Sequence, residues 1–130
     1  MGKKAIQTKN APAAVGPYSQ AVQVGDFLYV SGQIPLDPQT GMIVSGGIEV
    51  QTHQVFRNLA AILDDAGLTF DAVVKTTVLL NSMNDFGIVN SIYSQYIRSE
   101  VLPARAAFAV EKLPKDALIE IELVACCCHE

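Results

Sequence analysis

The chain has 130 residues, which is enough for about one domain with a single buried core. Half of the residues are hydrophobic and 17% are charged, so the composition argues against a disordered chain. The formal net charge of −4 argues against a nucleic-acid-binding protein, because phosphate contacts depend on Lys and Arg. Without an apolar transmembrane stretch or a signal-peptide core, we expect a cytoplasmic protein that has no membrane partner.

The first part of the chain predicts a leader, a hairpin and a long loop. Residues 1–10 are expected to form a flexible leader. Strands Ala21–Val24 and Phe27–Ser31 flank a Gly-Asp pair, which is typical of a β-hairpin. Residues 33–47 contain several prolines and glycines and are predicted to form a surface loop.

Two segments with helical periodicity follow, separated by a strand at Ala72–Leu80 that is rich in β-branched residues. Gly67 is predicted to end the first helix, and Asn84 is predicted to cap the second. The apolar face of the first helix consists of Val55, Phe56, Leu59, Ile62, Leu63 and Ala66. That of the second consists of Phe86, Val89, Tyr93, Tyr96 and Ile97.

Two further strands, Arg105–Glu111 and Leu118–Cys127, complete the predicted domain, which covers residues 1–130. The order is β-β-α-β-α-β-β. Strand-helix-strand connections are right-handed, so both helices should lie on one face of a mixed sheet. The fold class is therefore α+β, with a ferredoxin-like arrangement.

The second face of this sheet is predicted to need a partner. Two helices cover one face only, yet Phe27–Val30 and Val73–Leu80 carry apolar residues at both parities. A monomer would expose a large apolar patch, so we expect the chain to self-associate. On the last strand, Glu120 and Glu122 alternate with apolar residues and should face this open side, and Arg105 could lie there too.

Arg105 is the first candidate for a functional residue. It lies in the apolar stretch Pro-Ala-Arg-Ala-Ala, where a buried guanidinium needs an anionic partner. That partner could be structural, Glu120 or Glu122, or it could be the carboxylate of a ligand. Glu120 could equally be a salt-bridge partner or a general base that orients water.

Three residues nearer the N-terminus are weaker candidates. Tyr18 follows a rigid Gly-Pro and could be an ordinary turn aromatic or a ligand contact. Ser31 and Gly32 end a strand, where glycine permits close approach to a ligand but more often serves a turn. No nucleophile-elbow motif surrounds Ser31, so a serine-histidine triad is poorly supported.

The C-terminal run from Cys126 to His129 lacks the spacing of a zinc site. We therefore expect no metal, and we expect reduced thiols rather than a disulfide, because adjacent cysteines do not suit disulfide geometry. His53 is predicted to be a surface residue of the first helix.

Six short motifs together resemble the RidA/YjgF family, also described as the endoribonuclease L-PSP family, over about residues 10–125. These are Gly-Pro-Tyr-Ser-Gln-Ala (16–21), Ser-Gly-Gln-Ile-Pro (31–35), Val-Lys-Thr-Thr-Val (74–78), Asn-Asp-Phe with Val-Asn (84–90), Pro-Ala-Arg (103–105) and Leu-Pro-Lys-Asp followed by Ile-Glu-Ile-Glu (113–122).

The resemblance implies a chorismate-mutase-like subunit that forms a homotrimer with ligand clefts between subunits. It implies hydrolysis of 2-imino or enamino acids, such as 2-iminobutanoate and 2-iminopropanoate, to 2-keto acids and ammonia, without a cofactor. Arg105 would grip the substrate carboxylate, and Glu120 would hold the attacking water. Four further residues would complete the cleft: Tyr18, Ser31, Gly32 and Asn90.

The chain departs from the family at Ala107, where many relatives have cysteine. A substrate contact there could use the backbone, in which case activity survives, or the sulfur, which this chain lacks. Two other functions stay open. One is a ribonuclease or translation inhibitor, and the other is a non-catalytic module that binds small acids or acts as a chaperone.

Overall fold

The computed structural model describes residues 2–127, which form a six-stranded sheet and two α-helices. The elements are β1 (Lys3–Ile6), β2 (Ala21–Val24), β3 (Phe27–Gln33), α1 (Ile48–Asp65), β4 (Val73–Leu80), α2 (Phe86–Tyr96), β5 (Ala104–Ala109) and β6 (Ile119–Cys126).

The sheet has the strand order β1-β2-β3-β6-β4-β5. The last strand, β6, lies at its centre and runs antiparallel to both β3 and β4, whereas β4 and β5 are parallel. This is a mixed sheet with both helices packed on it, so the predicted α+β class and the order of the predicted elements are confirmed.

The flexible leader is a wrong prediction for Lys3–Ile6, which pair with β2 as an edge strand. The side chain of Gln20 fixes the segment that follows, because it accepts a hydrogen bond from the Thr8 amide (2.7 Å) and donates one to the Pro12 carbonyl (2.8 Å). Lysines are common on edge strands, where they discourage pairing with other chains. They also weaken the apolar alternation by which a strand is recognised.

The predicted end of α1 is confirmed, whereas the predicted start of α2 is wrong. Gly67 follows α1 with a φ of +76°, a left-handed conformation that suits glycine, and its amide donates to the Asp64 carbonyl. Asn84 does not cap α2. A 3-10 turn at Met83–Asp85 precedes that helix, and the Ser82 hydroxyl accepts from the Asn84 amide at 3.1 Å.

The core lies between the two helices and one face of the sheet. Alternate residues of the central strands are buried there, and they meet the apolar face predicted for α1. The largest fully buried side chains in this layer are Phe56, Leu28, Leu59, Ile62, Leu63, Leu80, Ile119 and Ile121.

The opposite side of the sheet, which we call the open face, carries exposed apolar side chains. Phe27 is 42% exposed and Tyr29 is 50% exposed, while Leu28 between them is fully buried. This confirms that the strands are apolar on both faces, as the sequence predicts. Self-association stays a prediction.

In the part of the chain that the structure describes, no helix is both long and apolar enough to cross a bilayer. Cys126, the last residue of β6, is disulfide-bonded, so the expectation of reduced thiols is wrong for this residue. Cys127 is free, and Cys128 and His129 lie outside the described residues.

Candidate active site

Glu120 and Glu122 lie on the open face, as the alternation in β6 predicts. Their neighbours Ile119 and Ile121 are fully buried on the helix side. Glu120 itself is half-buried, and this burial raises the pKa of its carboxyl group above the usual range. The negative charge of Glu122 raises it further.

Gly32 allows the Glu120 side chain to occupy its position. The pairing of β3 with β6 is irregular between Val30 and Gln33, and this irregularity brings Gly32 against the carboxylate. A Cβ atom added at Gly32 would lie 2.9 Å from the Glu120 Cδ, so the Glu120 carboxylate would have to move away from its present position. The glycine therefore serves close packing against the Glu120 side chain rather than a turn.

A groove of about 480 Å³ lies on the same open face, and Tyr18, Ser31 and Glu122 are among the residues that line it. The Ser31 hydroxyl donates to the Ser19 carbonyl at 2.6 Å. This hydrogen bond attaches the segment that contains Tyr18 to strand β3. Tyr18 is 55% exposed. We refer to Tyr18, Ser31, Gly32 and Glu120 as the carboxylate half-site.

Arg105 lies on the other side of the sheet. Its partner in the parallel pairing of β5 with β4 is Thr76, a buried residue whose hydroxyl contacts the Tyr93 hydroxyl of α2. Arg105 Nη1 donates to Asn90 Oδ1 at 2.7 Å. Its guanidinium carbon lies 5.3 Å from the centre of the Phe86 ring and 4.8 Å from that of Tyr93. We refer to Arg105, Asn90, Phe86 and Tyr93 as the arginine half-site.

The sequence-based suggestion that Arg105 could lie on the open side with Glu120 and Glu122 is therefore wrong for a single chain. The β4–β5 register places Arg105 on the helix face, while both glutamates follow the opposite parity of β6. Within one chain, the sheet therefore also separates Arg105 from both glutamates, so they form no salt bridge with each other. Within residues 2–127 the recorded ion pair is Lys112–Asp116, at 3.3 Å on the surface.

Ala107 has the same parity as Arg105 and pairs with Val78 of β4. It is half-buried and packs against the core. Its methyl group thus has a packing role, and this position favours a backbone contact over a side-chain contact with any ligand.

Phe86 and Tyr93 were predicted only as core residues of α2. A signal for their role is present in the sequence, because positions 86, 90 and 93 recur on one helical face and place an amide between two rings. His53, predicted to be a surface residue, is partly buried, and its Nδ1 lies 2.6 Å from the Tyr96 hydroxyl.

The two half-sites offer complementary chemistry on opposite faces of one chain. The arginine half-site presents a charged planar donor that suits a carboxylate. The carboxylate half-site presents a proton acceptor whose pKa is raised, a property common at catalytic positions. Among residues 2–127, no group of three or more His, Cys, Asp or Glu side chains could hold a metal ion.

Comparison with known proteins gives consistent results. The model of the family described as Endoribonuclease L-PSP matches residues 8–127. A 2-iminobutanoate/2-iminopropanoate deaminase of Homo sapiens is 53% identical, over 95% of this chain and 89% of its own length. A RutC family protein of Pyrococcus abyssi is 52% identical, over 96% of this chain and 98% of its own.

Solved structures agree. A Rid family protein from Yersinia pestis superposes with a TM-score of 0.93 at 49% identity, covering 96% of this chain and 99% of its own. E. coli TdcF with bound serine gives a TM-score of 0.89 at 39% identity, covering 95% and 98%. The resemblance drawn from the sequence motifs is thereby confirmed, and the chain belongs to the endoribonuclease L-PSP family, the family of the RidA/YjgF proteins.

Proposed function

We propose that this chain hydrolyses small 2-imino acids, among them 2-iminobutanoate and 2-iminopropanoate, to 2-keto acids and ammonia. The observation that carries the proposal is the state of Arg105. Its guanidinium is held by an amide oxygen and two aromatic rings, and within residues 2–127 no carboxylate forms an ion pair with it. The name of the human relative, 53% identical, supports this substrate class.

Arg105 would bind the substrate carboxylate. A guanidinium and a carboxylate form two parallel charge-assisted hydrogen bonds, and this pairing fixes orientation as well as charge. Asn90 occupies one N–H of Nη1, and the other donors remain for a ligand. The serine bound to TdcF, a relative of the same fold, is itself a small carboxylate.

Glu120 would hold the attacking water. The water adds to the imine carbon and gives up a proton, so that a C–O bond forms and the C=N bond becomes a single bond. Glu120 accepts that proton and returns it to the amino nitrogen. The C–N bond then breaks, ammonia leaves with the electron pair of that bond, and the hydroxyl group gives its proton to the ammonia as the ketone forms. A raised pKa suits a group that must take and return a proton near neutral pH. A protonated imine is already electrophilic, so positioning and one proton acceptor can suffice.

The opposite placement of the half-sites supports a homotrimer with intersubunit clefts. One chain cannot direct Arg105 and Glu120 at the same molecule, because the sheet separates them. If the β5 edge of one copy covers the open face of the next, the arginine half-site of one chain can meet the carboxylate half-site of its neighbour. The same contact would bury the exposed Phe27 and Tyr29.

A ribonuclease, the activity in the family description, is less well supported. Glu120 and Glu122 lie together on the open face and would repel a phosphate backbone. A non-catalytic small-acid binder would need Arg105 but not a half-buried carboxylate with a raised pKa.

Two measurements test the proposal. 2-Iminobutanoate, generated in the cuvette by a threonine dehydratase, should yield 2-oxobutanoate faster with the protein than without it. Light scattering at micromolar concentration should give about 42 kDa, three chains of 13.9 kDa. An unchanged rate would contradict the deaminase proposal, particularly if the protein cleaves RNA instead. A stable monomer would contradict the intersubunit cleft. The cytoplasmic location stays a prediction from the sequence.

A further inference from the structure

We propose that Tyr93 is a positioning residue that holds the Arg105 guanidinium ready for a carboxylate. The inference rests on the proposed function in one respect, namely that Arg105 binds the carboxylate of the substrate. It assigns to Tyr93, and through it to Thr76, a role beyond packing in the core.

The ring of Tyr93 is fixed by a hydrogen bond to strand β4. Its side chain is 8% exposed, and its hydroxyl lies 2.8 Å from the Thr76 Oγ1, which is itself 1% exposed. Thr76 is also the register partner of Arg105 across the β4–β5 pair. The hydroxyl–hydroxyl hydrogen bond therefore ties the ring to the strand beside the arginine.

The guanidinium rests against this fixed ring. Its central carbon lies 4.8 Å from the Tyr93 ring centre, within the range of a cation–π interaction. Phe86 supplies a second ring at 5.3 Å, and Asn90 a hydrogen bond at 2.7 Å. These three residues project from one face of α2, because residues separated by three, four and seven positions share a helical face.

The exposure of Arg105 explains why such support matters. An exposed arginine side chain samples many rotamers, and a ligand that binds it must restrict that freedom. Contacts that restrict the side chain beforehand lower the cost of binding. Loss of the Tyr93–Thr76 hydrogen bond should thus weaken carboxylate binding in the ground state and the transition state alike, which raises KM more than it lowers kcat.

The test is the variant Tyr93→Phe, which keeps the ring and removes only the hydroxyl. We expect its KM for 2-iminobutanoate to rise by about threefold to tenfold, the range for one lost hydrogen bond. The dissociation constant of 2-oxobutanoate, measured by titration calorimetry, should rise by the same factor, and kcat should change by less than about twofold. Thr76→Val should reproduce these changes. The double variant should be no worse than either single one, because all three remove the same bond.

Tyr96→Phe is the matched control. It lies on the same helix and loses a hydroxyl hydrogen-bonded to His53 Nδ1 at 2.6 Å, but it supplies no ring to Arg105. Its KM and 2-oxobutanoate affinity should equal those of the unsubstituted protein. Equal increases in Tyr93→Phe and Tyr96→Phe would overturn the inference, as would a Tyr93→Phe protein that melts earlier but binds 2-oxobutanoate normally.

The outcome separates this inference from the proposed function. If the unsubstituted protein binds 2-oxobutanoate but hydrolyses no imine, the deaminase proposal fails, and the dissociation constants of the variants still decide the role of Tyr93. If the unsubstituted protein hydrolyses the imine but does not bind 2-oxobutanoate, the deaminase proposal stands and the KM values of the variants decide the role of Tyr93.

Discussion

The two half-sites differ in how they are built. In the arginine half-site, a flexible exposed side chain is held by neighbours from α2: Asn90 by a hydrogen bond and two rings by stacking. In the carboxylate half-site, the absence of a side chain at Gly32 leaves room for the Glu120 carboxylate, whose partial burial raises its pKa. The arginine half-site thus supports a positive charge with its neighbours, whereas the burial of Glu120 disfavours the negative charge of its carboxylate.

The difference in construction determines which chemistry each half-site can perform. A guanidinium that is held by a hydrogen bond and two aromatic rings is a planar donor suited to binding a carboxylate. A carboxylate whose charged form is disfavoured can exchange a proton during turnover. The arginine half-site is thus suited to substrate binding and the carboxylate half-site to proton transfer.

The largest expected effect is that of Arg105→Ala. If the guanidinium grips the substrate carboxylate, kcat/KM for imine hydrolysis should fall by about a hundredfold or more, because a charge-assisted pair in a desolvated site typically contributes about 2–5 kcal/mol. The protein should stay folded, since Arg105 is exposed and forms no recorded ion pair within residues 2–127. Steady-state kinetics, a thermal melt and light scattering measure the three quantities.

Two comparisons sharpen that result. Arg105→Lys should rescue poorly, because a point charge cannot reproduce a planar two-point contact or stack as well on Phe86 and Tyr93. Arg98→Ala, at another exposed arginine, should leave kinetics unchanged. A folded trimer of Arg105→Ala with nearly normal activity would refute the binding role.

The next effect is that of Glu120→Gln, which keeps the shape of the side chain and removes its capacity to accept a proton. We expect kcat to fall by about a hundredfold, at the low end for general acid–base catalysis because the substrate is already electrophilic. Affinity for 2-oxobutanoate should persist. Glu111→Gln, at an exposed carboxylate outside both half-sites, is the control for this substitution and should retain the activity. A large loss of 2-oxobutanoate affinity in Glu120→Gln would show that Glu120 acts in binding.

The difference in stability between Glu120→Gln and the unsubstituted protein should change with pH in a defined direction. Burial, followed by the charge of Glu122, raises the pKa of folded Glu120 above its unfolded value. The unsubstituted protein therefore loses stability as pH rises through that pKa, while the glutamine variant does not titrate at this position. The melting temperature of Glu120→Gln relative to the unsubstituted protein should increase from acidic to neutral pH. The opposite trend would show that the fold stabilises the charged form.

Much of this arrangement could be predicted from the sequence. The alternation in Ile-Glu-Ile-Glu fixes which way Glu120 points, since side-chain parity within one strand is a local property. The hairpin turn and Gly67 are likewise local signals, and the structure agrees with both. Arg105 and Glu120 were candidates from the residue pattern itself, whereas the family resemblance added Asn90 and Ala107.

The face of the sheet on which Arg105 lies could not be predicted from alternation in this way. It depends on the register between β4 and β5, which a helical crossover sets, and the Ala-Arg-Ala-Ala-Phe-Ala stretch of β5 has no amphipathic pattern to reveal it. β1 was missed for a similar reason, because its two lysines hide the pairing of an edge strand. Sequence alternation thus describes single strands well and the relation between strands poorly.

We expect the weakest effect for Ala107→Cys, which introduces the cysteine that the family resemblance implies at this position. Ala107 packs against the core beside Val78, on the same face as Arg105. If its contribution to the cleft is through the backbone, a larger side chain changes only packing, and kcat/KM should stay within about threefold, with a modest destabilisation of about 1 kcal/mol. Ala106→Cys, on the opposite face of the same strand, is the control for adding a thiol. Both variants should be assayed in reducing buffer. A gain of tenfold or more in Ala107→Cys alone would show that the side chain at this position takes part in the reaction, and that the arginine half-site lacks a group in this chain.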